Sequence, residues 1–152
     1  MTDRSAPQPQ GHYVPAKRHR DMIFVSGMTP REDGRLLHIG QVAPDAPVET
    51  YRQAVELAAG NALRAAHSQL HEEEQIVSVL NLTVYVNAPA EYALHSKLAD
   101  FASRFLEEHA NDGVSSRAAV GVSSLPGNAT VEVSMIAAVG RVVPEAVFER
   151  DR

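Results

Sequence analysis

The stretch SSRAAVGVSSLPGNATVEVSMIAAV, residues 115–139, decides the fold. In its second half Val131, Val133, Met135, Ala137 and Val139 interleave with Thr130, Glu132, Ser134, Ile136 and Ala138, the period of two that marks a strand with one packed face. The first half, Ser115 to Val122, offers Ala118, Val120 and Val122 as its apolar set, leaving Arg117, Ala119 and Gly121 on the other side. Between them Ser123-Ser124-Leu125-Pro126-Gly127-Asn128 has turn chemistry, so the two strands read as a hairpin. Antiparallel counting through that turn sets Arg117 opposite about Ser134, with Glu132 on its diagonal. Both charges then share the face turned away from the odd-numbered apolar row. In that position they are either a cross-strand ion pair or the poles of a site.

Upstream, Ile76 to Val86 is rich in β-branched residues, with Ile76, Leu80, Leu82, Val84 and Val86 on one side and Asn81, Thr83 and Tyr85 on the other. Thr83, Tyr85, Ile136 and Ala138 would join Glu132 on a face too apolar to stay wet, so burial in an oligomer is expected there. Pro47 to Leu70 reads as an alanine-rich helix capped by Asp45, its packed side formed by Tyr51, Val55, Ala58, Ala62, Ala65 and Ala66, with Gly60 marking a close approach. A second helix follows Asn87 as cap, with Leu94, Leu98, Phe101, Ala102 and Phe105 along one face and an end near Asn111-Asp112-Gly113. Two short strands, Met22 to Val25 and Arg35 to Ile39, precede the first helix. Residues 1–10 are expected to be a flexible lead-in, 11–140 one domain and 141–152 a tail. The order of elements predicts an α+β fold, one mixed sheet with two helices packed on one face.

At 152 residues the chain has the size of one domain, and 44% apolar and 22% charged residues are ordinary for a globular protein. Nineteen acidic against fourteen basic residues give a net charge of −5, which opposes binding to nucleic acid or an anionic membrane. No window is long and apolar enough for a membrane span and no signal-peptide pattern opens the chain, so a cytoplasmic protein is the simplest reading. Without cysteine there are no thiolate metal sites, disulfides or thiol nucleophiles. The seven histidines lack ligand spacing, so no metal is expected. Lys17-Arg18-His19-Arg20 reads as a solvated basic loop and Glu72-Glu73-Glu74 as a solvated turn. Gly-x-Ser-x-Gly, phosphate-loop and dinucleotide fingerprints are all missing.

The run Ser116-Arg117-Ala118-Ala119-Val120-Gly121-Val122, then Leu125-Pro126 and Val131-Glu132-Val133, resembles the Rid family of reactive intermediate deaminases, also called the YjgF family and labelled endoribonuclease L-PSP. The resemblance extends through Gly11-His12-Tyr13, Phe24-Val25-Ser26-Gly27 with Pro30, and Leu82 to Val86, over roughly residues 11–139. It implies a chorismate-mutase-like fold, a homotrimer with ligand clefts between subunits, and hydrolysis of imines or enamines of amino acids to 2-keto acids and ammonia without metal or organic cofactor. It further implies that Arg117 grips the substrate carboxylate, Glu132 activates or positions water, Tyr13 lines the cleft and Ser26-Gly27 borders the ligand. Ala119 stands where deaminating members carry a cysteine, and Ser96 where they carry an asparagine. The same resemblance allows a second reading, a non-catalytic trimer that binds a keto acid or related metabolite. The ribonuclease suggested by the old label would need a basic surface that this composition does not supply.

Overall fold

A computed structural model of the chain describes residues 5–110 and 113–143. The expectations for residues 1–4, for Asn111-Asp112 and for 144–152 lie outside the described residues. The elements run β1 (Ala16–His19), β2 (Met22–Met28), β3 (Arg31–Glu32), β4 (Arg35–Leu36), a 3-10 turn (Val48–Tyr51), α1 (Arg52–His67), β5 (Glu74–Asn87), α2 (His95–Ala110), β6 (Ser116–Val122) and β7 (Val131–Arg141). Five strands form one sheet in the order β1-β2-β7-β5-β6, and β3-β4 is a separate ribbon. β7 is antiparallel to both its neighbours, β2 and β5, whereas β6 runs parallel to β5 and is reached through α2. Both helices cover one face, as the element order predicts, with α1 lying over β2 and β7 and α2 over β5 and β6.

The core is the layer between that face and the helices. Val131, Val133, Met135, Ala137 and Val139 of β7 are all buried, as their alternation requires, against Ala58, Ala59, Ala62, Ala65 and Ala66 of α1 and Leu98, Phe101 and Ala102 of α2. The alanines matter because a helix without bulky side chains can settle close to the sheet. Gly60 marks a close approach to the other helix: a Cβ there would lie 3.4 Å from the Phe105 ring.

Four local expectations fail. α1 begins from a 3-10 turn with Pro47 in the capping position and no side-chain cap bond, so Asp45 is not its cap. β5 contains two bulges: Ile76 and Ser78 pair with the adjacent Val139 and Ala138, and Val79 and Asn81 with Ala137 and Ile136. Each extra residue resets the alternation, so Val79 is buried and Leu80, expected in the core, is 42% exposed. The solvated reading of the charged runs also fails at Arg18 and Glu74. These form a bidentate pair at 2.6 and 2.9 Å, while Arg18 also donates to the carbonyls of Arg20 and Gln69.

The largest correction concerns the hairpin. β6 and β7 do not pair; β5 lies between them. Asn87, expected to cap α2, is instead the fully buried last residue of β5 and props the connection open. Its backbone N–H donates to the Thr130 carbonyl, and its side-chain amide donates to Asn128 Oδ1 and the Ala129 carbonyl. The Ala88 N–H reaches back to the Val122 carbonyl. The loop from Ser123 to Thr130 therefore passes around the end of β5, with Gly127 and Asn128 at φ of 64° and 61° making the turn. Turn chemistry fits this route as well as it fits a hairpin, and only the β-α-β connection through α2 distinguishes them.

Candidate functional site

The topology decides what Arg117 and Glu132 can do. Arg117 pairs with Leu82, an inward residue of β5, so its side chain lies on the helix-covered face. Glu132 pairs with Tyr85 on the opposite face, beside Val120 of β6. The expected shared face is thus a product of the false hairpin, and with it goes the alternative of a cross-strand ion pair. Arg117 and Glu132 stand two strand spacings apart, about 10 Å across the strands, are offset by a further three residues along them, and lie on opposite sides of the sheet.

Around Glu132 the sheet is built to hold a carboxylate with little company. β2 bulges at Ser26-Gly27, where Val25 and Met28 pair with Met135 and Val133. A Cβ on Gly27 would overlap the Glu132 carboxylate, so only glycine leaves room for it. Among the described residues Glu132 has no hydrogen-bond or ion-pair partner, and burial pushes its carboxyl above the usual carboxylate range. Ser26 anchors the neighbouring wall: its Oγ donates to the Val14 carbonyl at 2.7 Å and its N–H to the Pro15 carbonyl at 2.9 Å. That contact positions the segment bearing Tyr13, whose hydroxyl accepts from the Gln10 N–H at 3.1 Å. Tyr13, Ser26, Gly27 and Glu132 converge on one cleft of about 320 Å³, together with Arg31 and Pro126.

Arg117, Ser96 and Ala119 form the other group. Arg117 Nη1 donates to Asp100 Oδ1 at 2.8 Å and Ser103 Oγ at 2.9 Å, and Nη2 donates to Ser96 Oγ at 2.8 Å and the Ser96 carbonyl at 3.3 Å. All these acceptors belong to the first nine residues of α2. Ala119 lies two residues along on the same face, packed against the core, and Gly121 beyond it makes room for His95, which a Cβ there would strike. β6 is an edge strand, so this group sits at the rim of the sheet. Sequence reasoning missed Arg31 and Asn61. Asn61, 3% exposed on α1, donates to the carbonyls of Thr29 at 3.0 Å and Arg31 at 2.8 Å, fixing the loop that borders the Glu132 cleft. A polar residue within an otherwise apolar run of α1 was the available signal.

Residues 3–139 match the family model described as endoribonuclease L-PSP. The chain belongs to the endoribonuclease L-PSP family. A comparison with curated proteins gives no match. Among solved structures, the chain is similar to Atu1372 of Agrobacterium tumefaciens, described as of unknown function, with 31% identity, a TM-score of 0.75 and coverage of 85% of this chain and 82% of that one. A putative endoribonuclease from Shewanella oneidensis shares 26% identity at a TM-score of 0.75, covering 88% and 89%. E. coli TdcF, solved with bound serine, shares the fold at 22% identity and a TM-score of 0.60, covering 89% and 94%. Among the described residues the two helices leave one sheet face uncovered, and no helix is long and apolar enough to cross a membrane.

Proposed function

We propose that this protein is a homotrimeric deaminase that hydrolyses imines and enamines of amino acids to 2-keto acids and ammonia, in clefts shared by neighbouring subunits. The observation that carries the proposal is the separation of Glu132 and Arg117 onto opposite faces of one sheet. A ligand a few ångströms long cannot touch both in one chain, whereas a second copy bringing its β6 rim to the first copy's Glu132 cleft unites them. The uncovered face supports such contact. Phe24 is 44% and Val120 37% exposed, and Ile136, Ala138 and Tyr85 lie between them, an apolar surface that water covers poorly. E. coli TdcF, of the same fold, holds serine, a ligand of the size such a cleft would take.

The chemistry asks little of the protein, because an imine carbon is already electrophilic and orientation plus one base suffices. Both Nη atoms of Arg117 already bond to Asp100, Ser103 and Ser96, so the arginine exchanges some of these bonds for the substrate carboxylate when it binds. Water attacks the imine carbon, forming the C–O bond, and Glu132 takes a water proton and returns it to the nitrogen. The carbinolamine hydroxyl then loses its proton to the departing nitrogen as the C–N bond breaks, giving keto acid and ammonia. Burial of Glu132 raises its basicity toward what such a transfer needs at neutral pH. Ammonia and keto-acid release from imines made in situ by an amino-acid oxidase tests this. Glu132→Gln is expected to lower kcat by about 10²–10⁴-fold, and Arg117→Ala to lower kcat/KM by roughly 10–150-fold. Carboxylate binding that depends on Arg117 without any turnover would instead identify a metabolite-binding trimer.

A further inference from the structure

The Glu132 cleft contains a cation for which the proposed reaction has no use. Arg31 opens β3 shortly after the Ser26-Gly27 bulge, and buried Asn61 holds its carbonyl and that of Thr29, so its placement is built into the core. Its Nη1 donates to the Gly34 carbonyl at 3.2 Å, while its Nε is buried and has no acceptor among the described residues. A buried N–H left without an acceptor is destabilising, which argues that something else bonds to it when the protein works. Arg31 and Glu132 line the same cleft but form no ion pair, so neither cancels the other. Arg31 also borders the adjoining hollow of about 240 Å³ with Asn61 and Arg64, and Tyr13, Gly27 and Thr29 line both spaces.

We propose that Arg31 gives this cleft a second anion subsite, selecting dicarboxylate imines, those derived from amino acids of the aspartate and glutamate kind, over monocarboxylate ones. The inference rests on the reading of the Glu132 cleft as the reaction site. A substrate's α-carboxylate would go to the neighbouring copy's arginine and its distal carboxylate to Arg31, with the imine carbon between them at Glu132. A guanidinium suits that task because its planar fork matches a carboxylate bidentately.

The test compares two ratios on the intact protein: calorimetric affinity for 2-oxoglutarate over 2-oxobutanoate, and kcat/KM for the glutamate-derived over the alanine-derived imine. The wild type is expected to favour the diacid about tenfold or more. Arg31→Leu should bring both ratios to about one, and Arg31→Lys, which keeps the charge, should restore part of the preference. A wild-type ratio near one, or a ratio that Arg31→Leu leaves unchanged, overturns the inference whatever the absolute activity. Arg31-dependent diacid binding with no imine turned over would uphold the subsite and overturn the deaminase instead.

Discussion

Glu132 and Arg117 are two charged groups of the candidate site, and the fold treats them in opposite ways. Arg117 has four hydrogen bonds to three residues of one helix, all between 2.8 and 3.3 Å. The Glu132 side chain has none among the described residues, and occupies a space that exists because residue 27 lacks a side chain. The difference separates two ways of preparing a group for work. A binding arm gains from being held rigid, because less freedom is lost when its ligand arrives. A base gains from being left without donors, since donors would stabilise its charged form and weaken it.

The sharpest way to break this comparison is complementation. Glu132→Gln and Arg117→Ala are each expected to be nearly inactive alone. Unfolded together and refolded, they should recover about a quarter of wild-type activity, the fraction of shared sites that inherit both intact halves from random assembly. No recovery would place the two halves in one chain and defeat the reading.

Gly27→Ala strikes the space rather than the charge. It is expected to abolish turnover and to destabilise the protein by about 1–3 kcal/mol, the range for an overpacked site, as followed by urea unfolding. Glu132→Gln should do the reverse to stability. Because the carboxyl is pushed up by burial, its contribution is present below the ordinary carboxylate pKa and lost as pH rises through the raised value. The glutamine variant should therefore melt higher than wild type at pH 8, with the gap closing toward pH 4.

The smallest effect belongs to the Arg18–Glu74 pair, a partnered carboxylate far from the site and a control for the unpartnered one. The Arg18 guanidinium holds Glu74 down from 4.5 to about 2, so its stabilisation is complete above 4.5 and fades as pH falls toward 2. Glu74→Gln should flatten that part of the melting temperature profile and leave the profile above pH 6 with its shape unchanged.

Most of the architecture was legible because it follows from local pattern. The alternation of β7 from Val131 to Val139, the alanine face of α1 and the Leu98-Phe101-Ala102 face of α2 each needed only their own periodicity to be read. What failed required knowing a neighbour. Leu80 faces out because β5 bulges twice against β7, and bulges leave no mark in a run of β-branched residues. Arg117 faces the helices because β6 pairs in parallel with β5, a choice made by the crossover through α2 rather than by the turn that follows. Of the site, the Tyr13, Ser26, Gly27 and Glu132 group is gathered in one cleft, while Ser96, Arg117 and Ala119 are gathered elsewhere. Residue spacing along a chain carries no record of which face a strand turns outward once its partner is misjudged.

The insertion of β7 between β2 and β5 also bears on how the protein is made. β7 is the last strand of the sheet, yet it pairs with Met22–Met28 near the start, so Ile23 meets Ala137 across more than a hundred residues of chain. On the ribosome, the alanine helix and the first strands emerge with their apolar sides bare and must wait for residues 131–141 before a sheet can close. Such distant pairing slows folding, because the entropy of closing a long loop is lost before the contact forms, and it leaves strand edges of the nascent chain unpaired until the final strand arrives.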